Sequence, residues 1–402
     1  MADAFSAEEI VQLRAMTPGT RHRVHLNNAG AALMTTGVLA TVVDHLNLEV
    51  EIGGYEAKAR EVDRIEGVYG SVARLLNADP GEIALAENAT VAWQWAFYAQ
   101  RFKAGDRILT TTAEYAANYL SYLQVAKRTG AIIDLIPDDA EGRLDPRALD
   151  AMIDERVRLI AITWVPTNGG LVNPASEVGR IARAHGIPFL LDACQAVGQI
   201  PVDVEQLGCD MLAATGRKFL RGPRGTGFLY MKRSLLERTE PAMIDMYGAS
   251  WTGGDRYNLR PDARRFETWE SNYAGRLGLG TAIEEALAIG IPRIETRVKA
   301  LAGGMRAMLS DVPGVIVHDL GPDPAAIVTF TLAGMDAAMD AAMVAARLAE
   351  RSINVSVSAP SSTPIDGTRR HLPHLVRASP HYYNTEDEIE QLADAVRALA
   401  EC

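Results

Sequence analysis

Pro188-Phe-Leu-Leu-Asp-Ala-Cys-Gln195 and Met211-Leu-Ala-Ala-Thr-Gly-Arg-Lys218 decide the fold. Each is a short apolar run that stops on hydrogen-bonding or charged groups, the pattern of a buried strand entering a loop. Similar runs stand at Arg107-Ile-Leu-Thr-Thr-Thr112, Ala131-Ile-Ile-Asp-Leu-Ile136, Leu159-Ile-Ala-Ile-Thr-Trp164 and Gly227-Phe-Leu-Tyr-Met231. Between several of them lie helical segments such as Glu177-Val-Gly-Arg-Ile-Ala-Arg-Ala-His185, with apolar residues three and four apart. This alternation predicts an α/β protein with a mostly parallel sheet covered on both faces. Asp192 and Lys218 then project at strand ends, where such sheets gather ligands.

An amine and a carboxylate placed in this way are what pyridoxal phosphate chemistry requires. The amine holds the cofactor aldehyde as a Schiff base, and the carboxylate keeps the pyridine nitrogen protonated so that the ring can take up electrons. A lone lysine after a strand is usually a solvated charge. Here Thr215 and Arg217 flank it, and the turn-rich Gly222-Pro-Arg-Gly-Thr-Gly227 follows, so donors for a phosphate lie close by. A second cradle is expected at Glu87-Asn-Ala-Thr-Val-Ala92, which reads as the start of a helix and so suits an anion.

The ordered motifs resemble those of the class V aminotransferase family of fold-type I pyridoxal phosphate enzymes. They run through His25-Leu-Asn-Asn-Ala-Gly-Ala31, Asn88-Ala-Thr90, Ala113-Glu-Tyr-Ala-Ala-Asn118, Trp164-Val-Pro-Thr-Asn-Gly-Gly170, Leu191-Asp-Ala-Cys-Gln195, Thr215-Gly-Arg-Lys218 and Val376-Arg-Ala-Ser-Pro-His381, nearly the whole chain. The resemblance implies a seven-stranded, mostly parallel sheet in a large domain and a smaller α+β domain. It makes Lys218 the cofactor lysine and the proton carrier at the substrate α-carbon. Asp192 is the partner of the pyridine nitrogen, and Gln195 that of the phenolic oxygen. Ala89, Thr90, Thr215 and Arg217 are the implied phosphate donors. Tyr115 stands where desulfurases stack a histidine on the ring, and Thr167 or Asn168 sends a group toward the ring oxygen. Arg377, helped by Asn28 and Ala29, reads the substrate carboxylate. A homodimer with active sites at the subunit interface is implied, with Ser271 or Asn272 the candidates for reaching the partner's phosphate.

One departure shapes the expected activity. Desulfurases of the family carry a thiol on a loop shortly before the carboxylate-binding arginine, whereas Val355-Ser-Val-Ser-Ala-Pro-Ser-Ser-Thr-Pro-Ile365 carries hydroxyls. Hydroxyls cannot carry sulfane sulfur. The expectation is therefore a C–S lyase acting by β-elimination on a cysteine conjugate or sulfoxide, releasing pyruvate and ammonia, and not a persulfide-forming desulfurase. In motif detail it looks most similar to the ergothioneine-pathway sulfoxide lyase. An epimerase resembling isopenicillin N epimerase, or an aminotransferase, remains an alternative.

Composition is consistent with a large enzyme. The 402 residues carry 51 acidic and 40 basic side chains, a formal charge of −11 that argues against a nucleic acid partner. No run reaches the 18 to 20 or so apolar residues of a membrane span, and the acidic start is unlike a secretory leader. Cys194, Cys209 and Cys402 are scattered without CxxC or Cys/His spacing, which predicts neither disulfides nor a metal site and suits a reducing cytoplasm. His371, His374 and His381 are likewise not expected to bind metal. The expected division is an arm at 1–24 packing on the small domain, a large domain at 25–285 and a small domain at 286–402. Thr385-Glu-Asp-Glu388 reads as a capping box opening the last helix, and Trp93 and Trp95 read as packing residues.

Overall fold

Seven strands build the sheet that carries the site: β1 (Ile83–Ala86), β2 (Arg107–Thr110), β3 (Ile132–Leu135), β4 (Val157–Thr163), β5 (Phe189–Asp192), β6 (Met211–Thr215) and β7 (Gly227–Met231). Their order is β1-β7-β6-β5-β4-β2-β3. The run from β6 to β3 is parallel, and only β7 lies antiparallel to its neighbours. The computed structural model describes residues 4–333 and 338–401. Cys402 falls outside them.

Every residue of β5, β6 and β7 is buried, which explains why they read as unbroken apolar runs. Successive side chains point to opposite faces. Phe189, Leu191, Leu212 and Ala214 belong to one core with Ile160 and Ile162, while Leu190, Met211 and Ala213 join Leu159 and Ala161 in the other. Each fully buried leucine contributes about 1.5 to 3 kcal/mol over an exposed one, so a one-residue slip of register would cost the sheet both cores. Trp93 packs in the second core, stacked on Phe97 at 4.8 Å, as its packing reading requires.

All six strands read from the sequence are present. Ile83–Ala86 was not anticipated, because four residues rich in alanine are too short to show a period. The exposed hairpin Ala249–Gly253 with Arg256–Leu259 was missed as well, having little apolar pattern.

A second, antiparallel sheet has the order β8 (Val315–Val317), β9 (Val328–Ala333), β11 (Leu375–Ala378) and β10 (Ser356–Ser358). Two consecutive helices lead to it, α3 (Tyr273–Ile289) and α4 (Ile291–Ser310), broken by Gly290 at φ 93° and Pro292. The expected division at 285/286 thus falls inside α3. The arm helix Ala7–Ala15 is held by Arg14, whose Nη1 donates to Glu388 at 2.8 Å and to the carbonyl of Tyr383 at 2.9 Å. Val24–His25 pairs in parallel with Ile353–Asn354, tying the start of the chain after the arm to the C-terminal part. The last helix, α5 (Glu386–Ala400), opens on the Thr385/Glu388 capping box.

Candidate active site

Parallel strands end together, so their terminal side chains converge. Thr110, Thr163, Asp192 and Thr215 are the last residues of β2, β4, β5 and β6. Beside them begin two helices, α1 (Ala89–Tyr98) and α2 (Ala116–Thr129), with Asn88 and Tyr115 at their N-cap positions. A cavity of about 390 Å³ opens here, and Tyr115, Asp192, Cys194, Gln195, Arg217 and Lys218 all line it. A larger hollow of about 590 Å³ opens among Arg158, His185 and Arg238. Its Arg158 and His185 are already paired with Asp106 and Asp150, and none of the expected site residues lies there.

Lys218 is half-buried, and desolvation pulls its ammonium below the usual lysine range, with Arg217 and Arg377 adding repulsion. A lysine shifted in this direction holds a larger share of neutral amine, the form that attacks an aldehyde. Asp192 is pushed up by burial, while the Asn118 amide, the Cys194 N–H and Lys218 favour its charged form. Asn118 Nδ2 donates to Asp192 Oδ2 at 2.9 Å and the Cys194 N–H to Oδ1 at 2.9 Å. Tyr115 remains partly exposed at the rim, its phenol held above the usual range by burial, with Cys194 and Asp192 contributing.

The anion cradle follows from helix ends. Asn88 Oδ1 accepts from the Val91 N–H at 3.0 Å and its carbonyl accepts from Ala92 N. The first N–H groups of a helix have no partner within it, which directs those of Ala89 and Thr90 at the cavity. Gly227 makes the approach possible, because a Cβ there would lie 2.7 Å from the Ala214 carbonyl oxygen and 2.8 Å from the Asn88 carbonyl carbon. Thr215 Oγ1 donates to the Thr226 carbonyl at 3.1 Å, and Arg217 donates to the Gly30 carbonyl. Gln195 Oε1 is buried without a hydrogen-bond partner, while Nε2 donates to the Ala29 carbonyl at 3.2 Å. An orphaned acceptor, a cationic wall and a free helix start fit the phenol and phosphate of pyridoxal phosphate.

Arg377 sits in the middle of β11, opposite Thr329 and Ser356. Its Nη1 donates to Thr167 Oγ1 at 2.5 Å and its Nε to Ser356 Oγ at 3.2 Å. Burial, with Arg217 nearby, brings its guanidinium down to about 10.

Several expected assignments need correction. Asn168 does not face the cavity: Nδ2 donates to Thr363 Oγ1 at 2.9 Å and to the Ala359 carbonyl at 3.1 Å, and Oδ1 accepts from Ser358. It pins the segment 356–363, so of the pair only Thr167 lines the pocket. Asn28 is fully buried, its amide donating to the Ser379 carbonyl at 2.7 Å and its oxygen accepting from Tyr383. Ala29 forms the wall behind Gln195, with its N–H donating to Ser379 Oγ at 2.9 Å. Neither is free to hold a substrate carboxylate. Ser271 and Asn272 line a separate hollow with Tyr55 and Lys58, and Asn272 Oδ1 caps α3 by accepting from Gly275 N at 2.7 Å. Within one chain they do not reach the cavity.

Glu114 and Asn118 were missed, although both lie in a quoted motif. Their signal was an acid and an amide four residues apart at a helix start, a spacing that brings side chains together. Cys194 lines the cavity, its thiol pushed up by desolvation while Lys218 pulls it back. Among the described residues no group of three or more His, Cys, Asp or Glu could hold a metal, and no helix is long and apolar enough to cross a membrane.

The sequence model of the family described as aminotransferase class-V matches residues 24–392. A probable cysteine desulfurase of Methanothermobacter thermautotrophicus is 28% identical over 96% of this chain and 97% of its own. A cysteine desulfurase of Enterobacter sp. strain 638 is 31% identical over 93% of both. The apo structure of a cysteine desulfurase from Thermococcus onnurineus NA1 superimposes with a TM-score of 0.90 at 27% identity, covering 100% of this chain and 99% of that one. These relatives overturn the expectation of a β-eliminating C–S lyase that is not a persulfide-forming desulfurase. That expectation rested on one thiol-free segment, Val355–Ile365.

Proposed function

Because the chain belongs to the aminotransferase class-V family, we propose that it is a pyridoxal phosphate enzyme that removes the sulfur of L-cysteine. The observation that carries this reading is the convergence of Lys218, Asp192 and the start of α1 on one cavity, in a chain resembling cysteine desulfurases end to end. The cofactor supplies an electrophilic aldehyde and a ring that takes up electron density.

The protein's own groups do the rest. Lys218, whose amine gives up its proton more readily because it is desolvated, would hold the cofactor aldehyde and stand as the base that carries the substrate α-proton. Asp192, buried at the end of β5, would balance the charge of the ring nitrogen, and the unpartnered Gln195 Oε1 would accept from the phenol O–H. The N–H groups of Ala89 and Thr90, the hydroxyls of Thr90 and Thr215 and the guanidinium of Arg217 would hold the phosphate. Tyr115, which lines the cavity at its rim, would pack against the cofactor ring. Arg377 receives the substrate carboxylate, and Thr167, already bonded to it, orients the guanidinium.

The working unit in this reading is a homodimer in the cytoplasm. Leu39, Val43, Leu46 and Val50 are exposed along one side of the helix Thr36–Ile52, an apolar stripe that a second copy would cover. That stripe lies near the hollow of Ser271 and Asn272, which supports a contact from one subunit toward the partner's phosphate. The unpaired thiols of Cys194 and Cys209 suit a reducing compartment.

The test is to incubate the purified holoenzyme with L-cysteine and a reducing thiol. Alanine formed one-for-one with sulfide supports the reading, and pyruvate with ammonia instead rejects it.

A further inference from the structure

Behind the cavity wall lies a second buried carboxylate, Glu114. All the donors bonded to it are neutral. Oε2 accepts from Thr110 Oγ1 at 2.9 Å and Thr163 N at 3.1 Å, and Oε1 accepts from Thr163 Oγ1 at 2.5 Å, Tyr115 N at 3.0 Å and Asn118 Nδ2 at 2.9 Å. That same Asn118 nitrogen is 2.9 Å from Asp192 Oδ2. One amide therefore bridges two buried acids.

Two negative charges sharing one donor out of reach of water repel, and one of the acids gains by taking a proton. The partners decide which. Asp192 has Lys218 nearby, whereas Glu114 faces Asp192 and, across the core, the phenol of Tyr122. Tyr115, at the next position, is also acidic only at high pH. Burial, reinforced by Asp192, pushes Glu114 up to about 7 even against its hydrogen bonds. The site also accommodates the neutral form, since a threonine hydroxyl can accept as readily as donate.

We propose that Glu114 is a positioning residue that shares one negative charge with Asp192 across Asn118, so that its protonation sets how firmly Asp192 holds the cofactor's ring nitrogen. Below neutrality Glu114 is neutral and Asp192 alone faces the ring. As pH rises through about 7, Glu114 ionises and the added negative charge favours the protonated ring. Buried acids coupled by about one pK unit change such an equilibrium about tenfold. This rests on the cofactor reading of the cavity and not on the identity of the substrate.

The experiment is a pH titration of the visible absorbance of the holoenzyme between 6 and 8 without substrate. The wild-type protein is expected to show a step centred near 7, accompanied in the infrared by loss of a carboxylic C=O band with the same midpoint. Glu114→Gln removes both, and Glu114→Asp keeps the step with a displaced midpoint. A wild-type spectrum flat across this range overturns the proposal, and so does a step unchanged in Glu114→Gln, even if that variant is less stable. Should Glu114→Gln not fold, the wild-type titration and the Glu114→Asp midpoint decide alone. Because no substrate is used, failure here is distinct from failure to release sulfur from cysteine.

Discussion

Arg377→Gln separates substrate recognition from the rest of the chemistry. Arg377 is 9% exposed. Burial lowers its pKa from 12.5 to about 10, which at 1.36 kcal/mol per unit stores on the order of 3 kcal/mol of unfavourable desolvation in the empty site. At neutral pH only about one molecule in a thousand has lost that proton, so the cation persists and waits for an anion. A substrate carboxylate taking both arms of the fork recovers much of the stored energy. Removing the charge forfeits that recovery, and about 3 kcal/mol corresponds to a KM raised roughly a hundredfold. Arg377→Lys keeps the charge but not the two parallel bonds, and is expected to fall between, near tenfold. The sign with pH follows: carboxylate binding is present below about 10 and is lost as pH rises through it, because deprotonation removes the cation. The assay is steady-state kinetics on L-cysteine at several pH values, with cofactor absorbance checked in each variant. A KM within twofold of wild type in Arg377→Gln, at full cofactor occupancy, would refute the assignment.

Three further outcomes follow from the same geometry. Gly227→Ala puts a methyl against the Asn88 backbone, displaces the start of α1 and weakens cofactor retention at least tenfold, read by equilibrium dialysis; unchanged retention would show that the cradle lies elsewhere. Glu267→Gln breaks a buried network in which Glu267 accepts from Arg276 at 2.8 Å, Tyr69 at 2.9 Å and Leu85 N at 2.9 Å. Leaving Arg276 without a counter-charge costs about 3 to 5 kcal/mol and lowers the melting temperature by several degrees, with a shift under one degree as the opposing result. Asn168→Ala frees the segment 356–363 from its anchor, so proteolysis in that segment is expected to quicken, and an unchanged cleavage rate would contradict the pinning.

The strands that end on Asp192 and Lys218 were legible because both faces of the sheet are buried, which leaves short apolar runs ending abruptly at polar groups. The start of α1 was legible from Asn88 and the small residues after it. The second sheet was only half legible. Its Ser356–Ser358 strand is polar, and Leu375–Ala378 hides an arginine at its centre, so neither shows a two-residue period. The Glu114–Asn118–Asp192 bridge joins residues 74 positions apart, and local pattern carries no information about such pairs. Asn28 and Asn168 were misjudged because sequence position shows that an amide is near the cavity but not whether other groups have already taken its hydrogen bonds.

The central claim is that Lys218 holds the cofactor. Borohydride reduction of the holoenzyme, followed by digestion and peptide mass spectrometry, tests it most directly. The account predicts a reduced pyridoxyl adduct on Lys218 and none in Lys218→Ala. An adduct on any other lysine, or a Lys218→Ala protein that still traps the cofactor covalently, would contradict it.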